Sequence, residues 1–308
     1  MTGRDRGSQG TAAAEFPAFP EPLAGHLSLV TEGPQTAAEA ACFAEIADRI
    51  QRAEFELPRL PETSVTILKL TNQPAVEVED VARVLETDPV LSAELLRLAN
   101  SVLFGGTHPA HTLQQAVIRL GLRQIRALVL SFCVRHVIFR SRALMPVAEE
   151  LWRQTHSMGV LARRLALGLG LEPDRGFLIG QLHDIGKIPL LELMRELIPA
   201  SALESRPLVG RIFRSFHEQA GSALARAWNL PEELVSVAGN HHLYRDNLEA
   251  PEAAALASLV HRLDLRLASG DEAGFWDLRL ADEWQLLHAS FEERRELLTS
   301  CLGEFTRE

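Results

Sequence analysis

The chain has 308 residues, a formal net charge of −10 at pH 7, 46% hydrophobic residues and 23% charged residues. This length and composition are those of a globular protein with room for two domains and their hydrophobic cores. The acidic net charge argues against duplex binding as the main activity, because that activity relies on basic side chains that neutralise phosphates. We therefore do not expect a direct nucleic-acid partner.

The cysteines and the apolar runs indicate a cellular location. Cys42, Cys133 and Cys301 lie far apart and form no C-x-x-C pair, so no disulfide framework or cysteine zinc site can be identified. No apolar run approaches the roughly 18 residues that span a membrane. We expect a cytoplasmic protein without a membrane partner.

The N-terminal segment differs in composition from the rest of the chain. Residues 1–35 are rich in Gly, Pro, Ala and Thr without a sustained apolar period, and we interpret them as a disordered arm. From residue 36 onward the apolar period is helical, and no stretch alternates cleanly between apolar and polar residues. The predicted fold class is all-α. A proline within residues 141–148 marks a boundary between a first helical subdomain (36–145) and a second (146–308).

Apolar spacing and capping residues place the helices of the first subdomain. Three amphipathic helices are indicated by Phe43, Ile46 and Ile50, by Val65 and Leu68, and by Val78, Val81, Ala82 and Leu85. Asp88 is predicted as the N-cap of the next helix, with Pro89 at its first position and an inward stripe of Leu91, Leu95, Leu98 and Val102. Thr112 and Gln115 predict a capping box, and Gly121 predicts a junction between two helices.

The second subdomain is predicted to contain helices at 148–169, 174–196, 206–228, 231–242, 251–268 and 282–304. The last of these, with the sequence WQLLHASFEERRELLTSCL, is typical of a packing helix. Its predicted core residues are Trp284, Leu287, Phe291 and Leu298.

A basic segment interrupts the acidic chain. No Asp or Glu occurs between Thr112 and Ala148, but six arginines do: Arg119, Arg123, Arg126, Arg135, Arg140 and Arg142. Two interpretations are open: solvated faces of helices, or a docking face for an acidic partner.

The motif QLHDIGKIP at residues 181–189 places Lys187 three residues after an adjacent His-Asp pair. Lys187 and Lys69 are the only lysines of the chain, and every other basic residue is Arg. Histidines follow in helical settings along the second subdomain: His156, His183, His217, His241 and His242. Imidazole and carboxylate are the usual ligands of Zn, Mn and Fe, so this order of residues favours a metal site.

Four segments carry a resemblance to a known family. They are LPETSVTILKLTNQPAVEVEDVARVLETDPVLSAELLRLANSVLFG, TLQQAVIRLGLRQIRALVLSF, HDIGK and HEQAGSALARAWNLP. Together they resemble the HDOD domain, the HD-related output domain of bacterial signalling proteins, from about residue 40 to residue 270. The resemblance implies an N-terminal helical HDOD subdomain packed on a C-terminal HD-like subdomain. The His-Asp pattern is shared with the metal-dependent phosphohydrolases of the HD superfamily.

The resemblance also implies a ligand set. The family pattern falls on His156, on the pair His183-Asp184, on His217, on the pair His241-His242 and on Asp264. By this resemblance, one divalent ion (Fe, Mn, Zn or Mg) would be held by His156, His183, Asp184 and Asp264. A second would be held by His217, His241 and His242, with Asp184 bridging a dinuclear site. Such a pair of ions suits phosphoester hydrolysis.

Lys187 and Asp184 are the predicted catalytic residues. One helical turn after Asp184, the Lys187 ammonium would reach a phosphate oxygen as a compact charge. A helix-capping role for Lys187, near the C-terminal end of its predicted helix, is the alternative. The Gly-Tyr-Pro loop of cyclic di-GMP phosphodiesterases is absent after His241-His242, where the chain reads LYRDNLEAPE. Hydrolysis of cyclic di-GMP is therefore unsupported.

Three functions remain open from the sequence. The first is a regulatory module that binds metal, and a phosphorylated small molecule or nucleotide, and that contacts other signalling proteins. The second is a metal-dependent phosphohydrolase. The third is a histidine cluster that packs without an ion.

Overall fold

The computed structural model describes residues 34, 36–52, 54–71, 73, 75–101, 104, 108–139, 145–199 and 206–305. These residues form helices and connecting turns without a strand, which confirms the all-α prediction. The arm predicted for residues 1–35 lies almost entirely outside the described residues. No helix within these ranges is long and apolar enough to cross a membrane.

The first five helices belong to the N-terminal part of the chain. They are α1 (Ala37–Gln51), α2 (Glu62–Leu70), α3 (Val78–Leu85), α4 (Pro89–Ala99) and α5 (Leu113–Ile138). The C-terminal part contains α6 (Met145–Gly168), α7 (Pro173–Leu182), α8 (Lys187–Leu197), α9 (Arg206–Ala227), α10 (Glu232–Gly239), α11 (Pro251–Ser269), α12 (Glu272–Asp277), α13 (Glu283–Leu286) and α14 (Phe291–Phe305).

The predicted capping residues begin their helices as expected. The Asp88 carboxylate accepts hydrogen bonds from the first-turn amides of α4, and Thr112 forms a reciprocal capping box with Gln115 at the start of α5. Gly121 interrupts α5 with a φ of 77°, which glycine adopts without the steric cost that a Cβ imposes. The predicted junction at this glycine is confirmed.

Three predicted helices of the C-terminal part were wrong in extent. The segment 174–196 is two helices, α7 and α8, separated by residues 183–186. The segment 231–242 ends as a helix at Gly239, and the segment 282–304 breaks between α13 and α14. Trp284, Leu287 and Leu298 are buried as predicted, but Phe291 is 53% exposed because it begins α14 instead of lying within a continuous helix.

Two main hydrophobic cores follow from this arrangement. The smaller lies among α2 to α5, around Ile67, Leu85 and Ile125. The larger joins α1 and the end of α5 to the C-terminal helices and includes Leu151 and Trp284. Because the larger core includes residues of both parts, the N-terminal helices are packed on the C-terminal helices.

Helix α9 contacts the N-terminal part near both of its ends. Near its start, Arg211 forms an ion pair with Glu39 of α1 at 2.6 Å. Just beyond its last residue, the indole N–H of Trp228 donates to the carbonyl of Pro58 at 2.7 Å. The middle of α9 carries His217, so the same helix connects the two parts of the chain and supplies a residue of the histidine cluster.

The basic segment is only partly available as a surface. The Arg119 guanidinium donates to the carbonyls of Ala99 and His108, and therefore ties α5 to the end of α4. The Arg135 guanidinium lies 5.9 Å from the ring of Trp152. Arg140 and Arg142 lie outside the described residues.

Candidate metal centre

The turn between α7 and α8 carries the His-Asp pair. His183 follows the last residue of α7, and Lys187 is the first residue of α8. Gly186 lies so close to α9 that a Cβ there would be 1.8 Å from the carbonyl oxygen of His217. Only glycine permits this approach, which places the His-Asp pair beside His217.

Asp184 is at the centre of the cluster and is 3% exposed. Its Oδ1 lies 3.2 Å from His217 Nε2 and 3.6 Å from His241 Nε2. Its Oδ2 lies 3.5 Å from His183 Nε2 and 3.7 Å from His261 Nδ1. The two carboxylate oxygens therefore face two different sets of imidazoles.

Lys187 binds the same carboxylate. Its Nζ lies 2.6 Å from Asp184 Oδ2, and the lysine is 4% exposed. Burial alone would raise the pKa of Asp184, but the Lys187 ammonium and the neighbouring histidines together outweigh burial and hold that pKa well below its usual range. Asp184 is therefore an anion in the folded protein.

Three histidines are oriented by backbone carbonyls. The Nδ1 atoms of His183, His217 and His241 lie 2.7, 2.7 and 3.1 Å from the carbonyl oxygens of residues 180, 213 and 237. A carbonyl only accepts, so each Nδ1 carries the proton and each Nε2 presents a lone pair to the centre of the cluster. Histidines that bind metals are oriented in this way by an outer acceptor.

The inward nitrogens face one another. His217 Nε2 lies 3.4 Å from His241 Nε2 and 3.2 Å from His242 Nε2. Three buried atoms of the cluster have no hydrogen-bond partner: His183 Nε2, Asp184 Oδ1 and His261 Nδ1. Buried lone pairs and a carboxylate oxygen that lack a partner are stabilised by a cation, so these residues fit a metal ion.

Protonation of the cluster is opposed by its burial. Burial lowers the pKa of His217 to about 4 and that of His242 to about 3. It also lowers the pKa of His183, and that of His241 well below its usual range. Neutral imidazole is the form that binds metals, and these histidines keep that form at neutral pH.

Glu218 and Asn247 hold the His-His pair in place. Glu218 Oε1 accepts from the backbone N–H groups of His241 and His242 at 2.9 and 3.0 Å. The Asn247 amide donates to the carbonyl of Asn240 at 3.0 Å and thereby closes the turn that follows α10. The pair is thus fixed although it lies outside a helix.

A small cavity adjoins the cluster on the side of α9. Its volume is ≈ 20 Å³, and its walls include Lys187, Arg214, His217, His242 and His261. This is the space of about one water molecule or one ion. His242 is the most exposed residue of the two groups, whereas His183, Asp184 and His241 are buried, so the cluster reaches solvent at His242.

The structure brings most, but not all, of the predicted site residues together. Among the described residues, two groups have ligand atoms within 4.8 Å of one another: His183, Asp184, His241 and His261, and His217, His241 and His242. His261 was missed by the sequence analysis. Its signal was present, since His261 precedes the predicted ligand Asp264 by three residues, which is less than one turn of α11.

His156 and Asp264 lie outside both groups. The ring of His156 is stacked on Trp152, with ring centroids 5.5 Å apart. Asp264 Oδ2 accepts from Gln154 Nε2 at 3.0 Å. Residues two apart on a helix point in nearly opposite directions, so α6 presents Gln154 and not His156 to Asp264.

Comparison with known proteins identifies relatives of this chain. The HDOD domain family matches residues 57–244. A protein from Treponema pallidum (strain Nichols), named as an uncharacterized protein, is 30% identical over 209 residues. That alignment covers 65% of this chain and 39% of the relative, so the chain spans about two fifths of the relative's length.

Solved structures share the fold. A protein from Shewanella amazonensis SB2B named "Putative metal-dependent phosphohydrolase" has a TM-score of 0.67 and 20% identity, covering 87% of this chain and 100% of that chain. An HDOD domain protein of unknown function from Geobacter sulfurreducens has a TM-score of 0.60 and 22% identity, covering 85% of this chain and 95% of that chain.

Proposed function

Because the chain belongs to the HDOD domain family, we propose that it is a signalling module whose HD-like pocket binds a divalent metal ion and that acts by contacting other proteins. The observation that carries this proposal is the convergence of imidazole nitrogens on the buried Asp184 carboxylate, where His183 Nε2, Asp184 Oδ1 and His261 Nδ1 have no hydrogen-bond partner. The name of the Shewanella relative supports a metal at such a site.

The proposed ion would be held by nitrogens and oxygen already oriented for it. Backbone carbonyls fix the rings of His183, His217 and His241, and Glu218 fixes the turn that carries His242. When bound, a divalent ion supplies a Lewis acid that lowers the pKa of a coordinated water. Zn, Fe and Mn all accept this donor set, and Mg prefers more oxygen ligands.

Elemental analysis of the freshly purified full chain tests the metal. We expect a divalent transition metal at a stoichiometric amount in the wild type and its loss in His217→Ala and Asp184→Asn. A matched control is His288→Ala, because His288 belongs to neither group. A wild-type protein that stays metal-free after incubation with Zn, Mn and Fe would refute the proposal and support a cluster that packs without an ion.

The second candidate function is a metal-dependent phosphohydrolase. It is favoured by the cavity at the cluster, because its walls carry Lys187 and Arg214 beside His242, and such cations stabilise a phosphoryl group. A panel of phosphomonoesters, phosphodiesters and nucleotides, assayed with added Mn, Fe, Zn and Mg, separates the two functions. For a signalling module we expect metal binding without turnover. Turnover that is lost in a folded Asp184→Ala variant would establish the enzyme instead.

A further inference from the structure

The two oxygens of Asp184 divide the cluster into two subsites. The Oδ1 subsite contains His217, His241 and His242. The Oδ2 subsite contains His183, His261 and the ammonium of Lys187. Each subsite has imidazole nitrogens, and among the described residues the side-chain cation that pairs directly with Asp184 does so at Oδ2.

Four ligand-to-ligand distances in the Oδ1 subsite match those around one tetrahedral ion. Ligand atoms about 2.0–2.1 Å from a zinc ion in tetrahedral geometry are about 3.4 Å from each other. The separations of His217 Nε2 from Asp184 Oδ1, His242 Nε2 and His241 Nε2 are 3.2, 3.2 and 3.4 Å, and Asp184 Oδ1 lies 3.6 Å from His241 Nε2. Three histidine nitrogens are therefore within 4.8 Å of one another, and Asp184 Oδ1 lies close to two of them, so this subsite offers ligands to one ion.

The Oδ2 subsite already holds a positive charge. Lys187 Nζ lies 2.6 Å from Asp184 Oδ2, closer than either imidazole of that subsite, and the lysine is buried by the fold. An ion placed among His183, His261 and Oδ2 would lie within a few ångströms of this ammonium. Two cations at that separation in a buried site repel each other strongly.

The residues that would enlarge the Oδ2 subsite are engaged elsewhere. Asp264, which the family pattern supplies as a ligand, accepts from the Gln154 amide. His156 is stacked on Trp152. Neither contributes a ligand atom to the groups described above.

We infer that this chain binds one metal ion, in the Oδ1 subsite, and that the Lys187 ammonium takes the place of a second ion in the Oδ2 subsite. This inference rests on the proposed metal binding and deepens it. It replaces the predicted dinuclear site with a mononuclear one. It also assigns Lys187 a structural role, in which its ammonium neutralises Asp184, in place of the predicted contact with a phosphate oxygen.

Native mass spectrometry of the full chain, stripped with a chelator and then given excess Zn(II), measures the number of ions. We expect one tightly bound ion in the wild type and two in Lys187→Met, because methionine keeps most of the length of the side chain and removes its charge. Lys69→Met is the matched control, since Lys69 is the only other lysine and lies on the exposed surface of α2. It should bind one ion.

A double variant locates the second ion. Lys187→Met combined with His261→Ala should return to one ion, because the double variant lacks a ligand of the Oδ2 subsite. Circular dichroism confirms that each variant is folded. Two ions in the wild type, or one ion in folded Lys187→Met, would overturn the inference and leave the proposed metal binding intact. A wild type without any ion would instead refute the proposed function itself.

Discussion

Replacement of Glu218 by alanine tests how the His-His pair is positioned. Glu218 Oε1 accepts from two backbone N–H groups, those of His241 and His242. His241 is fully buried, so its N–H would be left without an acceptor, at a cost of about 1–3 kcal/mol. His242 is exposed, and water can replace most of the lost bond there, at about 0.5–1 kcal/mol. We expect Glu218→Ala to lower the free energy of unfolding by about 1.5–4 kcal/mol.

Glutamine at this position should restore most of the loss. Burial raises the pKa of Glu218, and the two amides offset this only in part, so the fold gains from the acceptor oxygen and not from the charge. Glu218→Gln keeps an acceptor oxygen and should lie within about 1 kcal/mol of the wild type. Urea denaturation of the metal-free chain gives the stability, and competition with a chromophoric chelator gives the zinc affinity. We expect the affinity to fall roughly 10–100-fold in the alanine variant.

The control is Glu292→Ala, because Glu292 is an exposed glutamate in the first turn of α14. It should change neither quantity. The reasoning would be refuted if Glu218→Ala unfolded at the same urea concentration as the wild type. Equal losses for glutamine and alanine would show that the negative charge, and not the acceptor, positions the pair.

Three further predictions concern the same region. Gly186→Ala should prevent stable folding or lower the free energy of unfolding by more than about 3 kcal/mol, as measured by thermal denaturation. The reason is that the new Cβ would lie 1.8 Å from the carbonyl oxygen of His217, and a backbone atom cannot move aside as a flexible side chain can. In the metal-free chain, His217 has a pKa of about 4 in the folded state against about 6.5 unfolded, so the unfolded state binds more protons between these values. Stability should therefore fall as pH is lowered from about 6.5 to about 4, by roughly 3 kcal/mol from this residue, as measured by urea midpoints across that range. Asp264→Asn should retain one zinc ion per chain by native mass spectrometry, whereas Asp184→Asn should retain none, because only Asp184 belongs to a ligand group.

Much of the fold could be predicted from local signals. Asp88, Thr112 and Gly121 act within a few residues of their position, so their roles could be predicted from neighbours in the sequence. The helix boundaries at residues 183–186 could not, because that turn is imposed by contact of Gly186 with α9, which lies thirty residues further along the chain. Phe291 was predicted to be a core residue because the helical spacing of apolar residues continues through residues 287–290. The helix itself ends there, and the apolar spacing alone does not reveal that end.

The candidate site shows the same division. His183, Asp184, His217, His241 and His242 were identified from their order along the chain, and the structure places them together. The two ends of the predicted ligand set depend on which face of a helix points inward. On α6 that face carries Gln154 opposite Asp264, and on α11 the cluster receives His261. The rotation of a helix about its own axis decides which of its residues point inward. That rotation follows from packing against other helices, which a single sequence does not specify.

Helix α9 gives the cluster a connection to the rest of the molecule. Arg211 and Trp228 attach this helix to α1 and to Pro58, and His217 lies between the two attachments. A protein that displaces α1 or the segment around Pro58 would therefore tilt the helix that aims His217 at its neighbours. Thermodynamic reciprocity then requires that occupancy of the pocket change the affinity for such a protein by the same factor. In the proposed function, helix α9 would couple occupancy of the pocket by a metal ion to the binding of such a protein.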